Sequence, residues 1–306
     1  TQRILASHAQ IASAAEPWIL LPYVYSMRAE GVLAHYRHFQ TVRAIRDFCK
    51  ELPEGRRSYL HALRDFVCRL YSEAAGPNVR YFLDKSPPYC LIASEILEIF
   101  PEAKAVFLFR TPGAIAASMN ETFDRGRWTV PSWKPYLYEG MQNMLEAFAQ
   151  NRDRVHALRF EDLVTDPEAE CRKLFEYLEI PFEPSVVHEF SAVRFKGRLG
   201  DQTGRYTYED ISREPLEKWK KTMANTLRKA WLRRYLRWLG AERLALMGYE
   251  LNELLREVRT LRSGTRFLLS DLGRMARAPW MAILEPHLVL RKLKRLPDTH
   301  RIYKHY

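Results

Sequence analysis

Residues 105–118 read Ala-Val-Phe-Leu-Phe-Arg-Thr-Pro-Gly-Ala-Ile-Ala-Ala-Ser. The run Ala105 to Phe109 has the unbroken apolarity of a strand buried on both faces of a parallel sheet. Thr111 before Pro112 reads as a helix N-cap and first turn. Arg110 then sits at the carboxyl end of a strand, where open α/β sheets bind ligands. Ser118 lies two turns along a helix of small residues, close enough for its hydroxyl and the Arg110 guanidinium to share one anion.

The surrounding sequence repeats the strand and helix alternation. An amphipathic helix is expected over Ser58 to Ala74, with Leu60, Leu63, Phe66, Val67 and Leu70 as its stripe. Gly76-Pro77-Asn78 stops it, and a strand follows over Val79 to Leu83. Helices are expected over Tyr89 to Ile99 and Tyr136 to Asn151, a strand over Val155 to Arg159, and a helix from Asp166-Pro167 through Leu178. Short links between these elements imply βαβ units and a parallel sheet. Before them, Thr1 to His8 reads as a helix end and Ala9 to Glu16 as a loop. After Trp219 the chain reads as helical to Glu257.

Arg-x-Pro with Ser eight residues after the Arg, preceded by Asp84-Lys85-Ser86-Pro87-Pro88-Tyr89, resembles the sulfotransferase superfamily. The likeness continues through Arg159-Phe160-Glu161-Asp162-Leu163 and Leu216-Glu217-Lys218-Trp219, and spans about residues 1 to 250. It is nearest to the tyrosylprotein sulfotransferases and related bacterial enzymes. The resemblance implies an α/β fold with a three-layer, P-loop-type parallel sheet flanked by helices. The domain covers 1–255, and a basic, mostly helical extension covers 256–306. The family's first strand and its 5′-phosphosulfate loop, of Pro-Arg-Ser-Gly-Thr-Thr type, are expected immediately before Thr1, so the chain reads as N-terminally incomplete and of doubtful activity alone.

The implied activity is direct in-line transfer of a sulfuryl group from 3′-phosphoadenosine 5′-phosphosulfate to a hydroxyl acceptor. Such transfer needs a base, cations and alignment, and no metal. Glu16 corresponds to the family's base, and the apolar Pro17-Trp18-Ile19-Leu20-Leu21 beside it would raise its basicity. Lys85, past a strand end, would meet the charge that develops on the sulfonate. Arg110 and Ser118 correspond to the residues that hold the donor's 3′-phosphate. Phe160 replaces the family's tyrosine and keeps its stacking face. Thr203, Gly204, Arg205 and Tyr206, with Lys218, resemble the loop that closes over the nucleotide. His8 reads as structural.

Four cysteines, Cys49, Cys68, Cys90 and Cys171, lack the spacing of a zinc site and suit a reducing compartment. Cysteines that flank the active site in the Golgi enzymes are replaced here by Asp84 and Ala14. No run of eighteen apolar residues exists, and the chain begins without a signal peptide. A cytoplasmic protein, peripheral to a membrane if attached at all, is expected. The net charge is +11, and residues 252–306 alone hold twelve Lys or Arg against five Asp or Glu. Residues 260–306, and a helical stripe of Arg256, Arg259, Arg262 and Arg266, read as a contact for an anionic membrane, ahead of a homodimer interface and of nucleic acid. The acceptor reads as a glycan, a lipid head group or a peptide tyrosine. Two other readings stand beside the enzyme: a non-catalytic nucleotide-binding remnant of the fold, and a basic membrane-surface or nucleic-acid-binding protein.

Overall fold

The computed structural model describes residues 1–13, 20–25, 27–28, 38–193 and 211–284. Strand β1 (Ile11–Ser13) pairs in parallel with β2 (Tyr81–Leu83), Ile11 opposite Tyr81 and Ser13 opposite Leu83. Strand β3 (Ala105–Phe109) pairs in parallel with β4 (Val155–Arg159), Ala105 opposite Val155 and Phe109 opposite Arg159. The amino ends of β2 and β3 meet at one turn. Tyr81 donates its hydroxyl to the Leu178 carbonyl (2.9 Å), the Ala105 N–H donates to Tyr177 (2.8 Å), and Glu179 takes Lys104 (2.5 Å) and Arg80 (3.2 Å). Lys85 and Arg110 follow the far ends of strands that start there.

Side chains of β3 and β4 enter two cores, because successive side chains on a strand point to opposite sides. Phe107, Phe109 and Val155 enter a core with Leu145 and Phe148 of the helix Met141–Gln150 and with Leu232, Tyr235 and Leu236 of the helix Thr226–Leu246. Leu158 enters a second core with Cys171, Leu174 and Phe175 of the helix Pro167–Tyr177. Phe109 meets Phe148 edge to face, with ring centroids 5.2 Å apart. Burying each such side chain stabilises the fold by about 1.5–3 kcal/mol.

Several expectations need correction. The expected loop Ala9 to Glu16 contains β1, a strand too short to show alternation and made by its pairing with β2. The strand expected over Val79 to Leu83 is confined to Tyr81–Leu83. The stripe on the helix Arg56–Ala75 is narrower than expected. Leu60, Leu63 and Val67 are buried, while Phe66 is 44% exposed, set edge-on to Tyr23, and Leu70 is 36% exposed. Strand β3 is not buried on both faces: Leu108 is 43% exposed, since no described element covers it.

The chain is helical from Trp219 to Glu257 as expected, divided among Glu214–Thr222, which contains Trp219, Thr226–Leu246 and Leu251–Thr260. Asn225 caps the second by accepting from the Arg228 N–H at 2.9 Å, and Gly240 kinks it. The third ends at Thr260, so Arg262 and Arg266 do not continue a stripe from Arg256 and Arg259. It also runs across the expected boundary at 255/256. Val258 lies in the first core, and Asp271 of the following helix, Leu268–Leu284, is wholly buried.

Asp271 takes both arms of Arg228, at 2.6 Å to Nε and 2.9 Å to Nη2, and the Asn225 amide at 2.6 Å. The remaining Arg228 donors go to the Thr222 and Gly126 carbonyls. The guanidinium lies between Trp128 and Phe267. Residues 260–276 are therefore anchored to the body of the fold.

Candidate functional site

Arg110 follows β3, and its guanidinium lies over the Phe160 ring, 4.2 Å from its centroid. Phe160 follows β4, so the parallel register that sets Phe109 opposite Arg159 also sets these two residues side by side. Arg110 Nη2 donates to the Pro215 carbonyl at 3.4 Å. Thr111 is the N-cap of the helix Pro112–Asp124, yet its side chain makes no capping bond. Its hydroxyl and its N–H both donate to Glu161 Oε1, at 2.6 and 2.9 Å. Ser118 is exposed on that helix, about 9 Å along the axis from the first turn, with its side chain tilted back toward the amino end.

The helix Glu214–Thr222 lies against the serine helix at a glycine. A Cβ on Gly113 would come within 2.7 Å of the Trp219 ring. That close approach sets Pro215 beside Arg110. Lys218, next to Trp219, is exposed and pairs with Glu214 at 3.5 Å, an i,i+4 pair worth a few tenths of a kcal/mol.

Lys85 belongs to the other strand pair. Its neighbour Asp84 is held by hydroxyls: Tyr71 and Tyr89 (2.8 Å) donate to Oδ2 and Ser86 (2.9 Å) to Oδ1. Burial raises the Asp84 carboxyl above its ordinary range, against the three hydroxyls and the Lys85 charge, which pull it down. The Tyr89 hydroxyl also accepts the Leu20 N–H at 3.1 Å. The loop bearing Lys85 is thereby tied to the helix Leu20–Tyr25, four residues past Glu16.

Glu16, Thr203, Gly204, Arg205 and Tyr206 lie outside the described residues. The structure thus brings Arg110 and Phe160 into contact and places Ser118 and Lys218 on the two helices that flank them. His8 is buried, its Nδ1 accepting the Gln10 N–H (3.1 Å) and its ring against Phe175. The four cysteines are free thiols, and burial pushes Cys171 up to about 11. Among the described residues no group of three or more His, Cys, Asp or Glu could hold a metal ion, and no helix is long and apolar enough to cross a membrane.

Two participants were not singled out from the sequence. Glu161 joins Thr111 to Tyr249, whose hydroxyl donates to Oε2 at 2.5 Å. Burial raises the Glu161 carboxyl, but bonds from the Thr111 hydroxyl, Tyr249 and the Thr111 N–H outweigh it and hold the group below its ordinary range. Tyr249 also lies under Arg159, 4.6 Å from the guanidinium.

A strand-end arginine seated on an aromatic ring thus stands two residues before a helix that carries an exposed serine, within an α/β arrangement. A sequence model of the sulfotransferase family matches residues 1–184, and the chain belongs to that family. It is 29% identical over 192 residues to the nodulation protein NoeE of Sinorhizobium fredii, covering 56% of this chain and 44% of that protein. It is 26% identical over 135 residues to a protein-tyrosine sulfotransferase of Drosophila melanogaster, covering 42% of this chain and 26% of that one. The chain thus spans less than half of either relative. A solved sulfotransferase domain from the curacin biosynthetic pathway aligns with a TM-score of 0.49 at 21% identity, over 78% of this chain and 91% of that domain.

Proposed function

We propose that this chain transfers a sulfuryl group from 3′-phosphoadenosine 5′-phosphosulfate to an acceptor hydroxyl, with β1–β2 and β3–β4 as parts of one P-loop-type sheet. The observation that carries the reading is Arg110, seated on Phe160 and directly before the helix of Ser118, in a chain of the sulfotransferase family. Arg110 and Ser118 hold the 3′-phosphate, with Phe160 as the wall behind the guanidinium. Lys218 and the segment Thr203, Gly204, Arg205 and Tyr206 cover the nucleotide. The acceptor oxygen forms its bond to sulfur as the bond from sulfur to the bridging oxygen breaks. Lys85 balances the charge on the departing oxygen, adenosine 3′,5′-bisphosphate leaves, and Glu16 takes the acceptor's proton. No metal takes part. A glycan, a lipid head group or a peptide tyrosine supplies the hydroxyl, and the name of the Drosophila relative supports the last.

Calorimetry with two nucleotides tests the anion site. Arg110→Ala is expected to weaken adenosine 3′,5′-bisphosphate by a charge-assisted hydrogen bond, about 1.5–3 kcal/mol, and to leave AMP almost unchanged. Equal losses for the two would remove the assignment.

The basic carboxyl-terminal region would place the protein at an anionic membrane from the cytoplasmic side. Leu269, 85% exposed, and Leu272, 54% exposed, share one helix, and Arg262 and Arg266 are exposed just before it. Apolar side chains beside cations suit a phosphatidylserine surface. Leu269→Glu with Leu272→Glu should cut sedimentation with phosphatidylserine vesicles about tenfold or more, since each leucine contributes roughly 1.5 kcal/mol on insertion. Unchanged sedimentation would point to a homodimer contact, to be sought by ultracentrifugation.

A further inference from the structure

Three consecutive residues at the carboxyl end of β4 each hold a different part of the proposed anion site. Arg159 covers the Tyr249 ring, Phe160 supports the Arg110 guanidinium, and Glu161 grips Thr111 through both N–H and hydroxyl. Thr111 stands between Arg110 and the first turn of the serine helix, so its backbone sets the aim of both. Glu161 is fixed in turn from far along the chain, by the Tyr249 hydroxyl at 2.5 Å. Gly248 makes that approach feasible. Its φ of +82° suits a residue without a Cβ, and a Cβ there would lie 2.8 Å from Arg159 Cδ.

Each oxygen of the carboxylate is used. Oε1 accepts twice from Thr111 and Oε2 once from Tyr249, so rotation of the carboxylate is opposed from both ends. Thr111 is 8% exposed, and loss of its acceptor leaves a buried N–H and hydroxyl unsatisfied. The backbone next to Arg110 would then turn to find other partners.

We propose that Glu161 and Tyr249 are positioning residues for a phosphate group bound by Arg110 and Ser118. Tyr249 orients Glu161, Glu161 fixes Thr111, and Thr111 presents the guanidinium and the serine helix at a set angle. Neither positioning side chain touches the ligand. The inference rests on the anion-site reading above and extends it to the carboxyl-terminal third of the chain, which carries Tyr249.

The test uses the full chain, adenosine 3′,5′-bisphosphate and AMP as probes, and thermal melting as the measure of fold. Tyr249→Phe removes one hydroxyl and keeps the ring under Arg159. It is expected to weaken adenosine 3′,5′-bisphosphate about five- to tenfold, to change AMP less than twofold and to leave the melting temperature nearly unchanged. Glu161→Ala should weaken the bisphosphate more, and the double variant should bind it no worse than Glu161→Ala alone, since the two act as one chain of contacts. Equal loss of the two nucleotides in Tyr249→Phe, or wild-type bisphosphate affinity in that variant, overturns the proposal. If Glu161→Ala does not fold, Tyr249→Phe decides alone. Arg110→Ala separates the two readings. A selective loss there without one in Tyr249→Phe leaves the anion site standing and ends only the positioning role. If Arg110→Ala shows no selective loss, both readings fall.

Discussion

Asp271→Ala should lower the unfolding free energy by about 3–5 kcal/mol, the cost of leaving a buried guanidinium without its counter-charge. Arg228 is 1% exposed and Asp271 wholly buried, and the pair is bidentate. The Trp128 and Phe267 rings beside the guanidinium carry no charge to replace the lost carboxylate. Urea unfolding followed by circular dichroism measures the change, and a loss below 1 kcal/mol would mean that water enters and solvates Arg228. Replacing both residues with apolar ones of similar volume, Arg228→Met with Asp271→Leu, should recover much of the stability, because desolvation offsets much of what a buried pair contributes. The double variant would still forfeit the bonds from Arg228 to the Thr222 and Gly126 carbonyls, so recovery should be incomplete.

Lys85→Ala should reduce turnover by about a hundredfold to a thousandfold, the scale seen when one preorganised group facing developing charge is removed. Binding of adenosine 3′,5′-bisphosphate should hardly change, since the contact proposed for it is made by Arg110 and Ser118. Turnover is read as formation of adenosine 3′,5′-bisphosphate from the phosphosulfate donor, and nucleotide binding by calorimetry. A variant within threefold of wild type would move the charge-stabilising role to another cation. Asp84 is locked by Tyr71, Ser86 and Tyr89, which limits the backbone freedom of the residue after it. Lys85→Arg is expected to restore little, because a planar fork does not replace a compact ammonium.

The part of the candidate site built from contiguous sequence was legible in the sequence itself. An apolar run, an arginine, Thr-Pro and a serine two turns on mark a strand, its end and a helix that opens at Thr-Pro, and β3 with Pro112–Asp124 follows that order. Phe160 was legible as a stacking face, but its partner was not. That Arg110 is the partner follows from strand register, which lies between segments 50 residues apart. Strand β1 was missed for the same reason, because Ile11-Ala12-Ser13 becomes a strand only beside Tyr81–Leu83.

The buried clamp in the carboxyl-terminal region was not legible. The dense basic count drew the reading to a solvated or lipid-facing stripe, and it gave no sign that Arg228, two helices earlier, pairs with Asp271 among leucines. The signal available was the acid itself, Asp271 on an otherwise apolar stretch, Leu268-Leu-Ser-Asp-Leu272. Glu161 stands in the segment Arg159-Phe160-Glu161-Asp162-Leu163, yet its bond to Thr111 joins two distant segments and leaves no local pattern. Tyr249 had only Gly248 before it as a cue.

The in-step pairing of β3 with β4 bears on which insertions and deletions the protein can absorb. Arg110 faces Phe160 because each stands one residue past a matched pair, Phe109 and Arg159. One extra residue within β3 would set Arg110 beside Glu161, and one within β4 would set Thr111 beside Phe160. The same addition to the link before Lys104, or to the turn after Gln150, would be taken up before pairing begins. Length variation among natural relatives, and grafting of new loops by design, should therefore gather at the amino ends of these strands and spare their carboxyl ends.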